Sequence, residues 1–137
     1  MTDDSAVQSI IKQIGKTEGG IDVVINCAGE IVVGPLSSMT PVDFETALKI
    51  HFWSPLLVTL AALPYLKRKK AARIANIASI GGKIAVPHLG PYCVSKFALV
   101  ALSDVLRAEL AGEGIHVTTV APGLMRALST KCACLGS

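Results

Sequence analysis

The sequence predicts an α/β fold, a parallel sheet whose strands alternate with helices. Apolar residues recur at helical spacing in three segments, short β-branched runs follow each of them, and turn residues separate the two kinds. Such alternation calls for crossovers of one hand between parallel strands, with the helices laid on the sheet.

Residues 3–16 carry Val7, Ile10, Ile11 and Ile14 at helical spacing, and Gly15, Gly19 and Gly20 are expected to end that helix and make a turn. Residues 21–26 (IDVVIN) read as a first strand. Thr40-Pro41 is an N-cap followed by proline at the first helical position, opening a long helix towards Leu66. Pro55 lies four residues after His51 and has no N–H, so the His51 carbonyl loses its helical partner and a kink is expected there. Residues 73–79 (RIANIAS) read as a second strand. Residues 91–112 form a second long helix, with Leu99, Leu102, Val105, Leu106 and Leu110 as its apolar stripe. Residues 115–121 (IHVTTVA) read as a third strand, ended by Pro122-Gly123. Runs with so little polar alternation are expected to be buried on both faces.

Bulk properties narrow the function classes. A chain of 137 residues, 51% hydrophobic and 17% charged, suits one folded domain and excludes a disordered one. Its mean hydropathy of +0.55 is high, as expected of buried strands or of helices that bury apolar surface against something outside the chain. The apolar stretch 52–66 is interrupted by Pro55 and Pro64 and falls short of the ~20 residues of a spanning helix, so no membrane is expected. Met1-Thr2-Asp3-Asp4 is acidic and shows no signal peptide. Cys27, Cys93, Cys132 and Cys134 are unevenly spaced, which points to reduced thiols and a cytoplasmic location. Cys132-Ala-Cys134 lacks a second pair or a histidine at ligand spacing, so no metal site is expected. The net charge is +3, and Lys67-Arg68-Lys69-Lys70 follows a helical pattern with no interleaved aromatics. That run reads as a solvated helix end, and no nucleic-acid partner is expected.

Ligands of parallel α/β sheets bind beyond the carboxyl ends of the strands. Here those positions hold Asn26-Cys27-Ala28-Gly29, Ser79 and Pro122-Gly123. Tyr92 and Lys96 lie four apart near the start of a helix and therefore share a face. A phenol with a pKa near ~10 is a poor proton donor or acceptor at neutral pH, and a nearby ammonium favours the phenolate. Ser79 at a strand end can polarise a carbonyl, Tyr92 can transfer the proton, and Lys96 can tune Tyr92.

These residues together resemble the short-chain dehydrogenase/reductase family over residues 3–126. Asn26-Cys27-Ala28-Gly29 looks like the family's Asn-Asn-Ala-Gly motif after the fourth strand. Ser79, Tyr92 thirteen residues later and then Lys96 match its catalytic order, and Pro122-Gly123 matches its Pro-Gly after the sixth strand. The resemblance implies a partial Rossmann-type, doubly wound parallel sheet: the fourth to sixth strands with two long helices between them, the first three strands missing. It implies NAD or NADP as cofactor and a small-molecule carbonyl or alcohol as substrate. Tyr92 would be the acid/base and Ser79 would bind the substrate oxygen. Lys96 would also hold the nicotinamide ribose, with Tyr92, Asn26, Ala28, Gly29, Pro122 and Gly123 lining the cofactor side. Asn26, Ala28 and Gly29 would serve partly to brace the sheet.

The sequence also departs from the family pattern. His51 stands in the long helix where the family commonly has Asn, a member of the catalytic set whose backbone carbonyl holds a proton-relaying water; that backbone role can survive a histidine. Gly15, Gly19 and Gly20 run from a helix into a strand, so they are not the pyrophosphate loop, which runs from a strand into a helix. Ala127 stands where a cofactor-contacting Thr is common, and residues 128–137 read as a divergent tail after a catalytic domain at 1–127. Two functions follow. One is an NAD(P)-dependent oxidoreductase; the other is a truncated, non-catalytic interaction module that, through its two long helices, forms a homo-oligomer or pairs with a full-length relative.

Overall fold

The computed structural model describes residues 4–124. The expectations for residues 1–3, Ala127, Cys132, Cys134 and the 128–137 tail concern residues outside that range. In chain order the main elements are α1 (Asp4–Thr17), β1 (Val23–Asn26), α2 (Pro41–Leu48), α3 (Ser54–Leu66), β2 (Ala72–Ile77), α4 (Gly90–Leu110) and β3 (Ile115–Val120). The strands form one parallel sheet in the order β1-β2-β3, with Val24 paired to Ile74 and Ile74 to Val117.

The predicted long helix is interrupted where Pro55 requires it. Between α2 and α3, Lys49–Trp53 adopts a π turn, and the Ser54 N–H reaches back to the Lys49 carbonyl. One extra residue in the turn accommodates the missing Pro55 N–H without ending the helix. Upstream, the Asp43 carboxylate accepts from both the Thr40 N–H and Oγ at 2.7 Å, closing the N-terminus. Counted through the π turn, Pro41–Leu66 is a 26-residue helical run that contains an 18-residue window with a mean hydropathy of 1.3. By length and composition it is enough to cross a membrane, which the shorter stretch 52–66 was not. Its Ala62 and Leu66 are nonetheless fully buried in the protein core.

That core joins Ala62 and Leu66 of α3 and Leu106 and Leu110 of α4 to Val24, Ile74, Ile115 and Val117 of the three strands. All of it lies on one face of the sheet. The expectation of strands buried on both faces is therefore corrected: Val23 is 51% and Ile25 64% exposed. Two successive crossovers of the same hand that step the same way across a sheet place both helices on one side. Hydrophobic strand residues alone do not reveal this.

Gly15 is a second correction. It does not end α1 but lies within it, under the Tyr65 ring, where an added Cβ would collide with Cε1. The turn is made by Gly19 and Gly20, with φ of +70° and +141°. These glycines lead into β1, so no phosphate loop is formed by them.

A polar ladder crosses the sheet inside the fold. Asn26 Nδ2 donates to Asn76 Oδ1 (2.8 Å), Asn76 Nδ2 to Ser103 Oγ (2.8 Å), and Ser103 Oγ to the Leu99 carbonyl (2.6 Å). Asn76 and Ser103 are fully buried, and each buried polar group has its partner, which makes such a chain stabilising.

Candidate active site

The site forms where β1 and β2 end and α4 begins. Ser79 stands two residues beyond β2 in extended backbone, and its Oγ accepts from the Gly81 N–H (3.1 Å). The short 3-10 turn that follows, Ile80–Gly82, lies directly against α4. An added Cβ on Gly81 would stand 3.1 Å from Tyr92 Cε1, and one on Gly82 2.7 Å from the Lys96 carbonyl oxygen. Two glycines thus let the Ser79 turn approach the face that carries Tyr92 and Lys96. Sequence reasoning overlooked Gly81 and Gly82; the signal available was a Gly pair directly after a strand-end serine.

Tyr92 and Lys96 do share a face of α4, with Lys96 Nζ 5.7 Å from the centroid of the Tyr92 ring. Lys96 is only 4% exposed, and its ammonium donates to the Ile77 carbonyl at the end of β2 (2.9 Å). Burial pushes the Lys96 pKa down, while the neighbouring Cys27 acts to raise it.

His51, 1% exposed, lies edge-on to Tyr92 with ring centroids 5.5 Å apart. Its Nε2 accepts from the Glu30 N–H (3.2 Å), and its Nδ1 lies 2.8 Å from Ser95 Oγ. Ser95 Oγ in turn donates to the Tyr92 carbonyl (2.9 Å). Burial, and then the Lys96 charge, lower the His51 pKa to about 4.

The predicted cofactor-side residues divide into two groups. The Asn26 amide is spent on Asn76, with Thr59 Oγ1 at 3.4 Å, so its side chain braces the sheet. Ala28 and Gly29 are exposed at the cleft, where a Cβ on Gly29 would come 3.0 Å from His51 Nε2 and 3.6 Å from Lys96 Nζ. The Pro122 carbonyl accepts from the Ile80 N–H (2.9 Å), which lays the Pro122-Gly123 segment beside the Ser79 turn. Cavities of about 60 Å³ against Tyr92 and about 430 Å³ beyond Gly29 flank Glu30.

The residues present fit half of a nicotinamide dinucleotide. A side-chain-free Gly29 leaves open the space beside a buried ammonium, as a ribose hydroxyl needs. A glycine-rich strand-to-helix turn for the pyrophosphate is absent among the described residues.

Comparison with known proteins agrees. The family model described as short chain dehydrogenase matches residues 1–132. Mouse (Mus musculus) retinol dehydrogenase 5 is 39% identical over 142 aligned residues, covering 100% of this chain and 43% of that protein. A short-chain dehydrogenase from Streptomyces avermitilis superposes with a TM-score of 0.88 at 30% identity, covering 93% of this chain and 47% of that one. A gluconate 5-dehydrogenase from Burkholderia cenocepacia J2315, solved with NADP and tartrate, gives 0.86 at 25% identity, covering 92% and 49%. The chain thus spans a little under half the length of these relatives. With its parallel sheet and these matches in agreement, the chain belongs to the short-chain dehydrogenase/reductase family.

Proposed function

We propose that the chain carries the catalytic half of an oxidoreductase that interconverts a carbonyl and an alcohol with NAD or NADP. The observation that carries this reading is the Lys96 ammonium. It is buried, anchored on the Ile77 carbonyl, and held 5.7 Å from the centre of the Tyr92 ring. That sets a fixed cation and hydrogen-bond donor beside the aromatic side chain whose hydroxyl would exchange the proton.

In reduction, Ser79 Oγ donates a hydrogen bond to the substrate carbonyl oxygen and polarises it. Tyr92 transfers its hydroxyl proton to that oxygen as the alcohol forms, and the reverse reaction returns the proton to Tyr92. Lys96 steadies the phenolate left behind and offers its remaining donors to ribose hydroxyls. The nicotinamide supplies or takes up the hydride when it is bound. Gly29 keeps the cleft open beside Lys96, and the Pro122 carbonyl ties the segment after β3 to the Ser79 turn.

The second reading, a non-catalytic module that self-associates, has its own support. Leu60 of α3 and Val94, Phe97 and Val105 of α4 are large apolar side chains left exposed on the two long helices. One experiment separates the two. Thermal unfolding is followed with NADH and with NADPH, alongside mass by light scattering and turnover of a panel of ketones and aldehydes. Stabilisation by either cofactor, with turnover that Tyr92→Phe abolishes, supports the oxidoreductase. A dimer indifferent to both cofactors supports the module.

A further inference from the structure

The hydrogen bonds around His51 can be oriented in only one way. Ser95 has a single hydroxyl proton, and it is committed to the Tyr92 carbonyl (2.9 Å). Towards His51 Nδ1, 2.8 Å away, Ser95 Oγ can therefore only accept, so Nδ1 must carry the imidazole proton. The bare Nε2 then receives the Glu30 N–H. A continuous relay results, from a backbone amide beyond β1, through imidazole and hydroxyl, to a backbone carbonyl in the first turn of α4. Both ring nitrogens are engaged in it, so neither is directed at a substrate.

We propose that His51 is a positioning residue, a neutral Nδ1–H imidazole that pins the Gly29–Glu30 turn to the helix bearing Tyr92 and Lys96. This role rests on the oxidoreductase reading, because the pinned turn is the cleft wall that faces Lys96 Nζ. Gly29 shows how tightly that wall is set: even a methyl group there would press on the imidazole at 3.0 Å. The groups facing the ring are Tyr92, Ser95 and Lys96 from α4 and the backbone of Glu30 from the turn, with Cys27 acting on Lys96. Protonation of Nε2 would set two donors against each other at Glu30 and bring a second positive charge towards Lys96.

The test uses the whole chain labelled with 15N. Long-range proton–nitrogen correlation spectra should show His51 protonated on Nδ1 and bare on Nε2 at neutral pH. In His51→Phe the Glu30 amide should exchange about tenfold faster, as for a loss of about 1.4 kcal/mol in local protection. His51→Gln, whose amide oxygen reaches as far as Nε2, should restore that protection. The KM for the dinucleotide should rise severalfold in His51→Phe with kcat changed less, since a wall is displaced and no proton donor is lost. An Nε2–H tautomer in the wild-type chain overturns the pin, and that measurement stands even if His51→Phe does not fold. Faster Glu30 exchange with unchanged dinucleotide affinity overturns the positioning role. A wild-type chain that binds neither NADH nor NADPH sinks the oxidoreductase reading and the positioning role with it, while the tautomer alone then decides whether the pin exists.

Discussion

Gly82 and Lys96 meet backbone to backbone: a Cβ on Gly82 would stand 2.7 Å from the Lys96 carbonyl oxygen. No side chain can turn away to relieve that contact. The Ser79 turn therefore rests on α4 at a distance that only a glycine allows.

Gly82→Ala should lower stability by about 1–3 kcal/mol, the usual cost of forcing extra volume into a packed contact. It should also push Ser79 away from Tyr92 and reduce any turnover. Gly112→Ala is the control, since its Cβ would meet nothing within 4 Å. Urea unfolding of the two variants checks this; equal midpoints would show that the contact yields.

Asn76 is the centre of the buried ladder, donating to Ser103 and accepting from Asn26. Asn76→Leu should cost about 1–3 kcal/mol, because Asn26 Nδ2 is left with only the long contact to Thr59 Oγ1 and Ser103 Oγ loses its donor while keeping the Leu99 carbonyl. The loss should appear as a shifted denaturation midpoint with an unchanged slope. A change of less than about 0.5 kcal/mol, typical of an uninvolved surface site, would mean that the ladder contributes little.

Tyr92→Phe removes the proposed acid/base hydroxyl and leaves the ring that packs on Gly81 and His51. Turnover should fall at least about 10²-fold, as for the loss of a general acid, with the melting temperature nearly unchanged. Retained turnover would assign the proton to another group.

His51 also gives stability a pH dependence. Its pKa is lowered from 6.5 to about 4 in the folded protein, so between those values the unfolded chain binds the extra proton. The contribution is complete above about pH 6.5 and is lost as pH falls towards 4, amounting to about 3 kcal/mol in all. Unfolding free energies measured across that range should fall for the wild type and fall less for His51→Gln. Parallel curves would mean that His51 titrates normally.

Much of this was legible in the residues. The order of strands and helices followed from hydrophobic spacing and turn residues, and the break at the π turn followed from a proline that cannot donate to the His51 carbonyl. Tyr92 and Lys96 shared a face because a step of four residues slightly exceeds one helical turn. Strand ends were misjudged by a residue or two: Ser79 lies past β2, in the turn. The open sheet face carrying Val23 and Ile25 went unseen, because burial depends on which side the crossovers take. Gly81 and Gly82, the Asn26–Asn76–Ser103 ladder and the His51 relay each join segments far apart in the chain.

By itself the sequence determined local periodicity, chain order and the chemical groups available at the strand ends, since these depend on neighbours within a few bonds. Only the tertiary structure decided that the Ser79 turn touches α4 through bare glycine backbone, that Asn26 spends its amide on the sheet, and that His51 closes onto Glu30 and Ser95. Those outcomes are set by how closely distant segments can approach, a distance governed by packing and hydrogen-bond satisfaction rather than by spacing along the chain.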